Sequence, residues 1–234
     1  MECNICSSRE FTDLSESRKG CMCKNCGSLE RTRVLWMLLE KLNIKKDFKI
    51  LHFAPEKGIF KRILDIVGEE NYTTADIDPE RYKFATCIKC DLTKLDHFFD
   101  NSFDVIIHNH VLEHIPCNIA YTLFHFHRIL TKRGTHFFSF PILHGKYSED
   151  QNDIGDIERE RNFGQSDHVR KFGREDLNNQ IGKILNMPDS YNLLNFFRAE
   201  QLLHANVPKF CWENKTSHSI FSLKKEDYLL NFNN

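Results

Sequence analysis

The most informative segment of the chain is SFDVIIHNHVLEHIP, residues 102–116. Its apolar run from Phe103 to Ile107 is nearly continuous, as is typical of a strand that is covered on both faces of a sheet. Polar residues and a Leu-Glu-His triplet follow the run directly. The segment therefore predicts a central strand that ends in a polar loop, which indicates an α/β domain.

Strands and helices alternate on both sides of this segment. We predict further strands in FKILHFA, YTTADI, KFATCIKCDL, GTHFFSFPI and, near the C-terminus, HSIFSLK. A glycine turn is expected at the start of GTHFFSFPI. Helical spacing is found in IFKRILDIV and IAYTLFHFHRIL, and an amphipathic helix follows Ser28, a partial N-cap. This alternation predicts βαβ units and a mostly parallel sheet.

Composition and charge limit the function. The chain has 234 residues, of which 41% are hydrophobic and 28% are charged, as in an ordinary globular protein. Its formal net charge of -1 argues against a surface that is basic throughout, as a nucleic-acid binder would need. We find no apolar run of the roughly 20 residues that a membrane span needs, and no signal peptide at the start of the sequence, so we expect a cytoplasmic protein that does not bind membranes.

Four cysteines near the N-terminus have the spacing of a zinc site. Cys3 and Cys6 form one CxxC pair, and Cys23 and Cys26 form another. Two such pairs predict a closed tetrahedral thiolate site, in which zinc is structural. A redox pair, an incidental cluster, and a register in which Cys21 replaces Cys23 are the alternatives.

We expect a zinc knuckle over residues 1–28. The α/β domain would follow over residues 29–234, with a polar, lid-like insertion at about 144–175.

An acid stands where nucleotide-binding sheets hold a ribose. Asp76 ends the second predicted strand of the domain, about 20 residues after the first strand-to-helix turn, and a carboxylate there binds the ribose diol. Asp78 precedes Pro79 and is a candidate N-cap. The first turn has only one glycine, Gly58, where several are usual.

The order of these motifs resembles that of class I S-adenosylmethionine-dependent methyltransferases. The similarity covers residues 3 to about 177 and depends on ILHFAPEKG, YTTADIDPE, CDLTKL, SFDVIIHNHVLEHIP and RILTKRGTHFFSFPI. In addition, CxxCGSLERxR and FGQSDHVRKFG are similar to a bacterial subgroup with an N-terminal cysteine knuckle. The resemblance implies a Rossmann-like fold with S-adenosylmethionine and structural Zn²⁺ as cofactors. Pro55 and Glu56 depart from the family's glycine-rich first turn.

The resemblance also implies a set of cofactor-binding residues. The methionine moiety would lie near Phe53, Ala54, Pro55, Glu56 and Gly58. Asp76 would bind the ribose, and Ile77, Asp91 and Leu92 would contact the adenine. His108 and Asn109 would face the methionyl group or the sulfonium.

Methyl transfer to oxygen or nitrogen needs a positioned nucleophile and benefits from a base with a pKa near neutrality. His110, just after the central strand, and His168, in the polar insertion, are the candidate bases. Asp167 and Arg170 are candidates for binding the acceptor, with Arg170 suited to a carboxylate or phosphate. We further expect the insertion to be a mobile lid with Gly155, Gly164 and Gly173 as hinges.

These observations favour methyl transfer to a small metabolite or a cell-surface glycan intermediate. Two other functions stay open: an RNA methyltransferase whose knuckle recognises RNA, and a non-catalytic module that binds the cofactor. The near-neutral charge makes nucleic acid the less favoured partner, and the chain lacks the Asn/Asp-Pro-Pro-aromatic motif of base amine methylation after the fourth strand. The acceptor, the methylated atom and the oligomeric state do not follow from the sequence.

Overall fold

The computed structural model describes residues 1–16 and 18–229, so the last five residues of the expected 29–234 domain lie outside the described part. Its strands are β1 (Phe11–Thr12), β2 (Met22–Cys23), β3 (Ile50–Phe53), β4 (Tyr72–Asp76), β5 (Cys87–Lys89), β6 (Phe103–Asn109), β7 (Leu130–Ser139), β8 (Ile142–Leu143), β9 (Ser148–Glu149), β10 (Arg170–Gly173) and β11 (Phe221–Lys224). Its α-helices are α1 (Glu30–Leu42), α2 (Lys57–Val67), α3 (Ile119–Ile129), α4 (Asp156–Phe163), α5 (Leu177–Gln180) and α6 (Ala199–His204).

A six-stranded sheet in the order β11-β7-β6-β3-β4-β5 forms the centre of the fold. Every neighbouring pair is parallel except β7 with β11, which is antiparallel. The predicted α/β class with a mostly parallel sheet is confirmed. The strand order reverses between β3 and β6, and in open α/β sheets ligands bind beside the carboxyl ends of the strands at such a point.

The burial of the central strands explains their apolar sequences. All of β3 is buried, and β6 is buried except for Asp104. On one face of the sheet, Phe126 of α3 packs on Phe53 of β3, with ring centroids 5.5 Å apart. Each fully buried apolar side chain of this size contributes about 1.5–3 kcal/mol. The prediction that the central strand is covered on both faces is confirmed.

Two local predictions were wrong. Ser28 does not cap α1; Leu29 is the N-cap residue, and the Ser28 hydroxyl lies 3.4 Å from the Cys3 sulfur. The glycine turn before the fifth strand of the domain does not form either, because β7 begins at Leu130 and follows α3 without a connecting loop. Gly134 instead lies in an irregular stretch of β7, where the pairing with β6 shifts register.

A buried arginine joins the cysteine-rich N-terminal segment to the rest of the chain. Arg33 of α1 is 0% exposed and donates to the carbonyl oxygens of Ser28 at 2.7 Å and Cys21 at 3.0 Å. It also donates at 2.8 Å to the carbonyls of Ala205 and Asn206, just after α6. A guanidinium can be buried when its donors are satisfied in this way. The N-terminal hairpin, α1 and the end of α6 are thereby held together.

A line of polar side chains crosses the sheet from Tyr72, the first residue of β4, to Ser139, the last residue of β7, and meets at Glu56. On one side, His52 Nε2 donates to Glu56 Oε2 at 2.7 Å, and the Tyr72 hydroxyl lies 2.7 Å from His52 Nδ1. On the other side, Asn109 Nδ2 donates to Glu56 Oε1 at 2.6 Å, and Ser139 Oγ donates to Asn109 Oδ1 at 2.8 Å. This line joins β4, β3, β6 and β7 through the residue that precedes α2.

The hydrogen bonds keep Glu56 ionised. Burial by itself raises the pKa of this carboxyl, but the hydrogen bond and charge of His52 and the hydrogen bond of Asn109 outweigh burial and hold the pKa below its usual value. Because the folded-state pKa lies below the unfolded one, the ionised Glu56 stabilises the fold above the unfolded pKa of about 4.3. That contribution is lost as the pH falls through the folded-state pKa.

We predict that Glu56→Gln lowers the free energy of unfolding at pH 7 by about 1–3 kcal/mol. The amide nitrogen of the new side chain would face the N–H of His52 or of Asn109, and that donor would lose its acceptor. Urea denaturation at pH 7 and near pH 4 is the measurement, and the difference from wild type should shrink at the lower pH. Glu69→Gln, at an exposed glutamate, is the control. A Glu56→Gln protein as stable as wild type at pH 7 would contradict the role of this network.

Candidate functional site

A cavity of about 520 Å³ lies at the carboxyl edge of the sheet, where the strand order reverses. Cavities for small molecules commonly have volumes of about 300–1,000 Å³. Its walls come from the ends of β3, β4 and β6, from the loop after β5, and from the polar segment before β10. The location matches the general rule for ligands in open α/β sheets.

Two residues with left-handed backbone conformation lie at the carboxyl edge of the sheet. Ala54, directly after β3, has φ 48°, and His110, directly after β6, has φ 54°. Each is tied to a neighbouring strand, since Ala54 N–H donates to the Ala75 carbonyl at 3.0 Å and His110 N–H donates to the Ser139 carbonyl at 2.9 Å. Non-glycine residues in this conformation cost about 1–3 kcal/mol and concentrate at functional sites. Ala54 thus makes the first turn without the glycine expected there.

Two carboxylates at one end of the cavity are held in fixed orientations. Asp76 at the end of β4 accepts from the Asp78 N–H and from the Tyr82 hydroxyl, both at 2.8 Å. Asp91 accepts from the Thr93 N–H at 2.9 Å and from its hydroxyl at 2.7 Å. Burial raises the pKa of Asp91, but the Thr93 hydrogen bonds outweigh it and leave the pKa below its usual value. Asp91 is therefore an ionised acceptor for a ligand.

The residues expected to bind a cofactor fall into two groups. Six of them line the cavity: Phe53, Ala54, Asp76, Ile77, Asp91 and Leu92. Pro55, Glu56, Gly58 and Asn109 lie outside its lining; Glu56 and Asn109 belong to the polar line across the sheet. At Gly58, an added Cβ would lie 3.1 Å from the Ser28 Cβ, so this glycine permits close packing of α2 against the N-terminal segment.

The expected orientation of His108 was wrong. Its side chain is 0% exposed and stacks among the rings of Phe126, Phe138 and His136. Successive side chains of a strand point to opposite faces, and that of His108 points into the core under α3. Burial lowers the pKa of His108 to about 3, so the ring is neutral and cannot face a cofactor in the cavity.

Histidines and an aspartate line the other end of the cavity. His110, His114 and Asp167 all contribute to its wall. His110 Nε2 lies 3.0 Å from the Ser217 carbonyl, an acceptor, so this nitrogen has the proton and Nδ1 has the free lone pair. Burial and the nearby charge of Arg31 lower the pKa of His110 to about 3. The ring is therefore neutral at physiological pH.

The remaining two predicted residues lie behind this wall. His168 is buried, and its Nδ1 lies 3.0 Å from the Phe163 carbonyl. Arg170 is 0% exposed and donates to the carbonyls of Leu112 and Cys117, and to Glu149 at 3.1 Å. The expectation that Arg170 binds the acceptor was wrong, because its guanidinium is occupied in holding the loop after β6.

The polar segment 144–175 is folded and docked on the domain. Its strands β9 and β10 form a three-stranded sheet with β8, which directly precedes the segment. The Val169 N–H donates at 2.9 Å to the carbonyl of Glu113, which fixes the segment to the turn after β6. Gly155 and Gly164 border α4 with positive φ. The expectation of a hinge at Gly173 was wrong, because an added Cβ there would lie 2.2 Å from the Lys146 backbone.

Sequence reasoning missed Glu113 as a site residue. It lies in a short 3-10 helix, Leu112–His114, and both of its buried carboxylate oxygens are without hydrogen-bond partners among the described residues. Burial raises the pKa of Glu113 to about 8. The Leu-Glu-His triplet is visible in the sequence, but nothing in the sequence shows that its glutamate is buried. Tyr82 and Thr93, which orient the two aspartates, gave no sequence signal.

The four paired cysteines meet in space. One sulfur from each of Cys3, Cys6, Cys23 and Cys26 lies within 4.8 Å of all the others. The distances are 3.6 Å between Cys3 and Cys26 and 3.5 Å between Cys6 and Cys23. Zinc–sulfur bonds of about 2.3 Å in a tetrahedron place the sulfurs about 3.8 Å apart, so the quartet fits a zinc ion. Cys21 is not in the quartet; its sulfur lies 3.4 Å from the Arg18 carbonyl.

Comparison with known proteins gives a family match to the central part of the chain. Residues 51–138, from β3 nearly to the end of β7, match the model of a methyltransferase domain family. No curated protein matches the sequence significantly. Within the described residues, no helix is both long enough and apolar enough to cross a membrane.

Similar solved structures include two methyltransferases. One is the Burkholderia thailandensis 1,6-didemethyltoxoflavin-N1-methyltransferase, solved with that compound and S-adenosylhomocysteine bound; it is 14% identical, with 83% of this chain and 77% of that chain covered and a TM-score of 0.49. The other is a SAM-dependent methyltransferase from Archaeoglobus fulgidus, 15% identical, with 85% and 95% covered and a TM-score of 0.46.

The family match spans the strands that build the cavity. The sheet has the Rossmann-like order, and its reversal point lies at the cavity edge. Residues 51–138 match a methyltransferase domain family, the sheet is Rossmann-like and mostly parallel, and the chain is an enzyme of the methyltransferase class.

Proposed function

We propose that the protein transfers a methyl group from S-adenosylmethionine to an oxygen or nitrogen of a small metabolite or a cell-surface glycan intermediate. The observation that supports this most directly is the cavity at the reversal point of the sheet. Two fixed carboxylates border one end of it, and histidines border the other. A cofactor end and an acceptor end are therefore available in one enclosed space.

The carboxylate end suits an adenosine. Asp76 presents an oriented carboxylate that can accept from both hydroxyls of a ribose diol. Asp91 is placed to accept from an adenine amino group, with Ile77 and Leu92 as apolar neighbours in the cavity wall. Phe53 and Ala54 then lie toward the methionine moiety, where the left-handed turn at Ala54 bends the chain aside.

The histidine end suits a nucleophilic acceptor. S-adenosylmethionine supplies an electrophilic methyl group, and an acceptor lone pair attacks that carbon as the carbon–sulfur bond breaks. The acceptor's proton must leave, and the unprotonated Nδ1 of His110 in the cavity wall can accept it, although the pKa of about 3 makes this ring a weaker base than an ordinary histidine. Asp167 borders the same end and can bind a hydroxyl of the acceptor. The helix α4, bordered by two positive-φ glycines, would serve as the movable part of a lid.

We predict that Asp76→Ala weakens the binding of S-adenosylhomocysteine about ten- to a hundredfold, because a charged hydrogen bond of about 1.5–3 kcal/mol is lost. Isothermal titration calorimetry is the measurement. Asp78→Ala is the matched control, since the backbone N–H of Asp78, which orients Asp76, is kept in that variant. If Asp78→Ala bound S-adenosylhomocysteine more weakly than wild type and Asp76→Ala bound it equally well, the ribose contact would be assigned to Asp78.

For the acceptor, we predict that methyl label from S-adenosylmethionine enters small molecules and not RNA. Total RNA and a small-molecule extract are offered separately, and the label is counted after chromatography. His110→Ala should lower the rate of label transfer about 10²- to 10⁴-fold while S-adenosylhomocysteine affinity is kept. Label found in nuclease-sensitive material would instead support the RNA methyltransferase.

We further propose that the cysteine quartet binds one structural zinc. Four thiolates complete the coordination of zinc and leave no open position for a substrate. The quartet lies beside Ser28, whose hydroxyl is 3.2 Å from the Cys26 sulfur. Since Gly58 packs against Ser28, the metal would support the position of α2, which follows the first turn of the cavity.

We predict that Cys6→Ser loses one equivalent of zinc by elemental analysis relative to wild type and lowers the melting temperature, because zinc affinity contributes to folding. Cys87→Ser, which changes a partly exposed cysteine outside the quartet, is the control and should keep the metal. Equal zinc content in Cys6→Ser and wild type would rule out the quartet as the site.

A further inference from the structure

A second cluster of metal-binding residue types lies at the acceptor end of the cavity. Glu113 and His114 come from the 3-10 helix after β6, and His168 comes from the loop before β10. One donor atom from each of the three lies within 4.8 Å of the others. The ring centroids of His114 and His168 are 4.7 Å apart and the ring planes are at 83°, so the two imidazoles are in edge-to-face contact.

Glu113 is the buried centre of this cluster. Its side chain is 0% exposed, and neither carboxylate oxygen has a hydrogen-bond partner within the described chain. The ion-pair contacts of its Oε1 are long, 3.5 Å to His110 Nδ1 and 4.0 Å to His114 Nε2. A buried carboxyl group without partners is destabilising, so such a group calls for an explanation, for which a bound ion is one candidate.

The histidines are oriented as metal ligands usually are. His168 Nδ1 lies 3.0 Å from the Phe163 carbonyl, and His114 Nδ1 lies 3.2 Å from the Asp167 carbonyl. A carbonyl only accepts, so both Nδ1 atoms have the proton and both Nε2 atoms have a free lone pair. Metal-binding histidines almost always donate their other N–H to a carbonyl or carboxylate in this way, which fixes the tautomer and the ring direction.

His110 adds a fourth donor, the third nitrogen, on the cavity side. Because its Nε2 donates to the Ser217 carbonyl at 3.0 Å, its Nδ1 lone pair faces Glu113 Oε1. Arg170 does not compete for this carboxylate, since its N–H groups are bound to Leu112, Cys117 and Glu149. Imidazole nitrogens with one carboxylate are a ligand set for divalent transition metals such as Zn²⁺, Fe²⁺ and Mn²⁺.

We propose that Glu113, His114 and His168, with His110 beside them, bind a divalent transition-metal ion at the acceptor end of the cavity. The bound ion would coordinate an acceptor hydroxyl and lower its pKa, so that the proton passes to water and the oxygen attacks the methyl carbon as the carbon–sulfur bond of the cofactor breaks. This catalytic use rests on the proposed methyl transfer, whereas metal binding itself does not. The site differs from the cysteine quartet in having only nitrogen and oxygen donors.

Mn²⁺ is the probe, because it favours oxygen and nitrogen donors and leaves a zinc-loaded thiolate quartet in place. The protein as purified is titrated with Mn²⁺, and free Mn²⁺ is followed by electron paramagnetic resonance. We expect one saturable site, an affinity at least about tenfold weaker in Glu113→Gln and in His114→Ala, and displacement of Mn²⁺ by added Zn²⁺. His204→Ala, at an exposed histidine of α6, should bind Mn²⁺ like wild type.

Absence of saturable Mn²⁺ binding, or equal affinity in wild type and both ligand variants, would overturn the proposal. Circular dichroism establishes that each variant is folded, and His114→Ala, at a partly exposed residue, provides the test should Glu113→Gln fail to fold. The measurement needs neither cofactor nor acceptor. A failure to bind Mn²⁺ would therefore count against the metal site alone. A failure to bind S-adenosylhomocysteine would count against the proposed methyl transfer.

Discussion

The hydrogen bonds that converge on the Glu56 carboxylate are the constraint on which the site depends. Through His52 and Asn109 they join four parallel strands, β4, β3, β6 and β7, to the residue that precedes α2. Each oxygen of the carboxylate accepts one hydrogen bond, from His52 or from Asn109. Such an arrangement is stable because each buried polar group in it has a partner. The carboxyl edge of the sheet is thereby held as one surface, and the cavity forms above it.

The same edge accounts for the unusual first turn. Where nucleotide-binding turns use glycines, this chain places Ala54 in the left-handed conformation and ties its N–H to β4. The strain there is tolerated because the strands on either side are fixed by backbone pairing and by the Glu56 line. The N-terminal cysteine segment packs on α2 from outside through Ser28 and Gly58. The N-terminal cysteine segment and α2 are thus in contact near the first turn of the cavity.

The end of the cavity that is lined by histidines has a different character from the end that is lined by aspartates. At the aspartate end each carboxylate has its own short-range partners, Tyr82 for Asp76 and Thr93 for Asp91. Behind the histidine end Glu113 is buried without hydrogen-bond partners among the described residues, while the polar segment docks on its backbone and brings His168 to it. Satisfied groups orient a ligand, and an unsatisfied buried group marks where a ligand or ion is needed. The two ends are therefore suited to different tasks.

The sequence by itself determined the order of strands and helices, the parallel sheet, the meeting of the paired cysteines and the place of Asp76, because these follow from local periodicity, spacing and the end of one strand. Only the tertiary structure decided where side chains point. It turned His108 into the core, enclosed Arg170 behind the cavity wall and placed His168 against Glu113. Those outcomes depend on packing partners that are distant along the chain, and no local pattern encodes them.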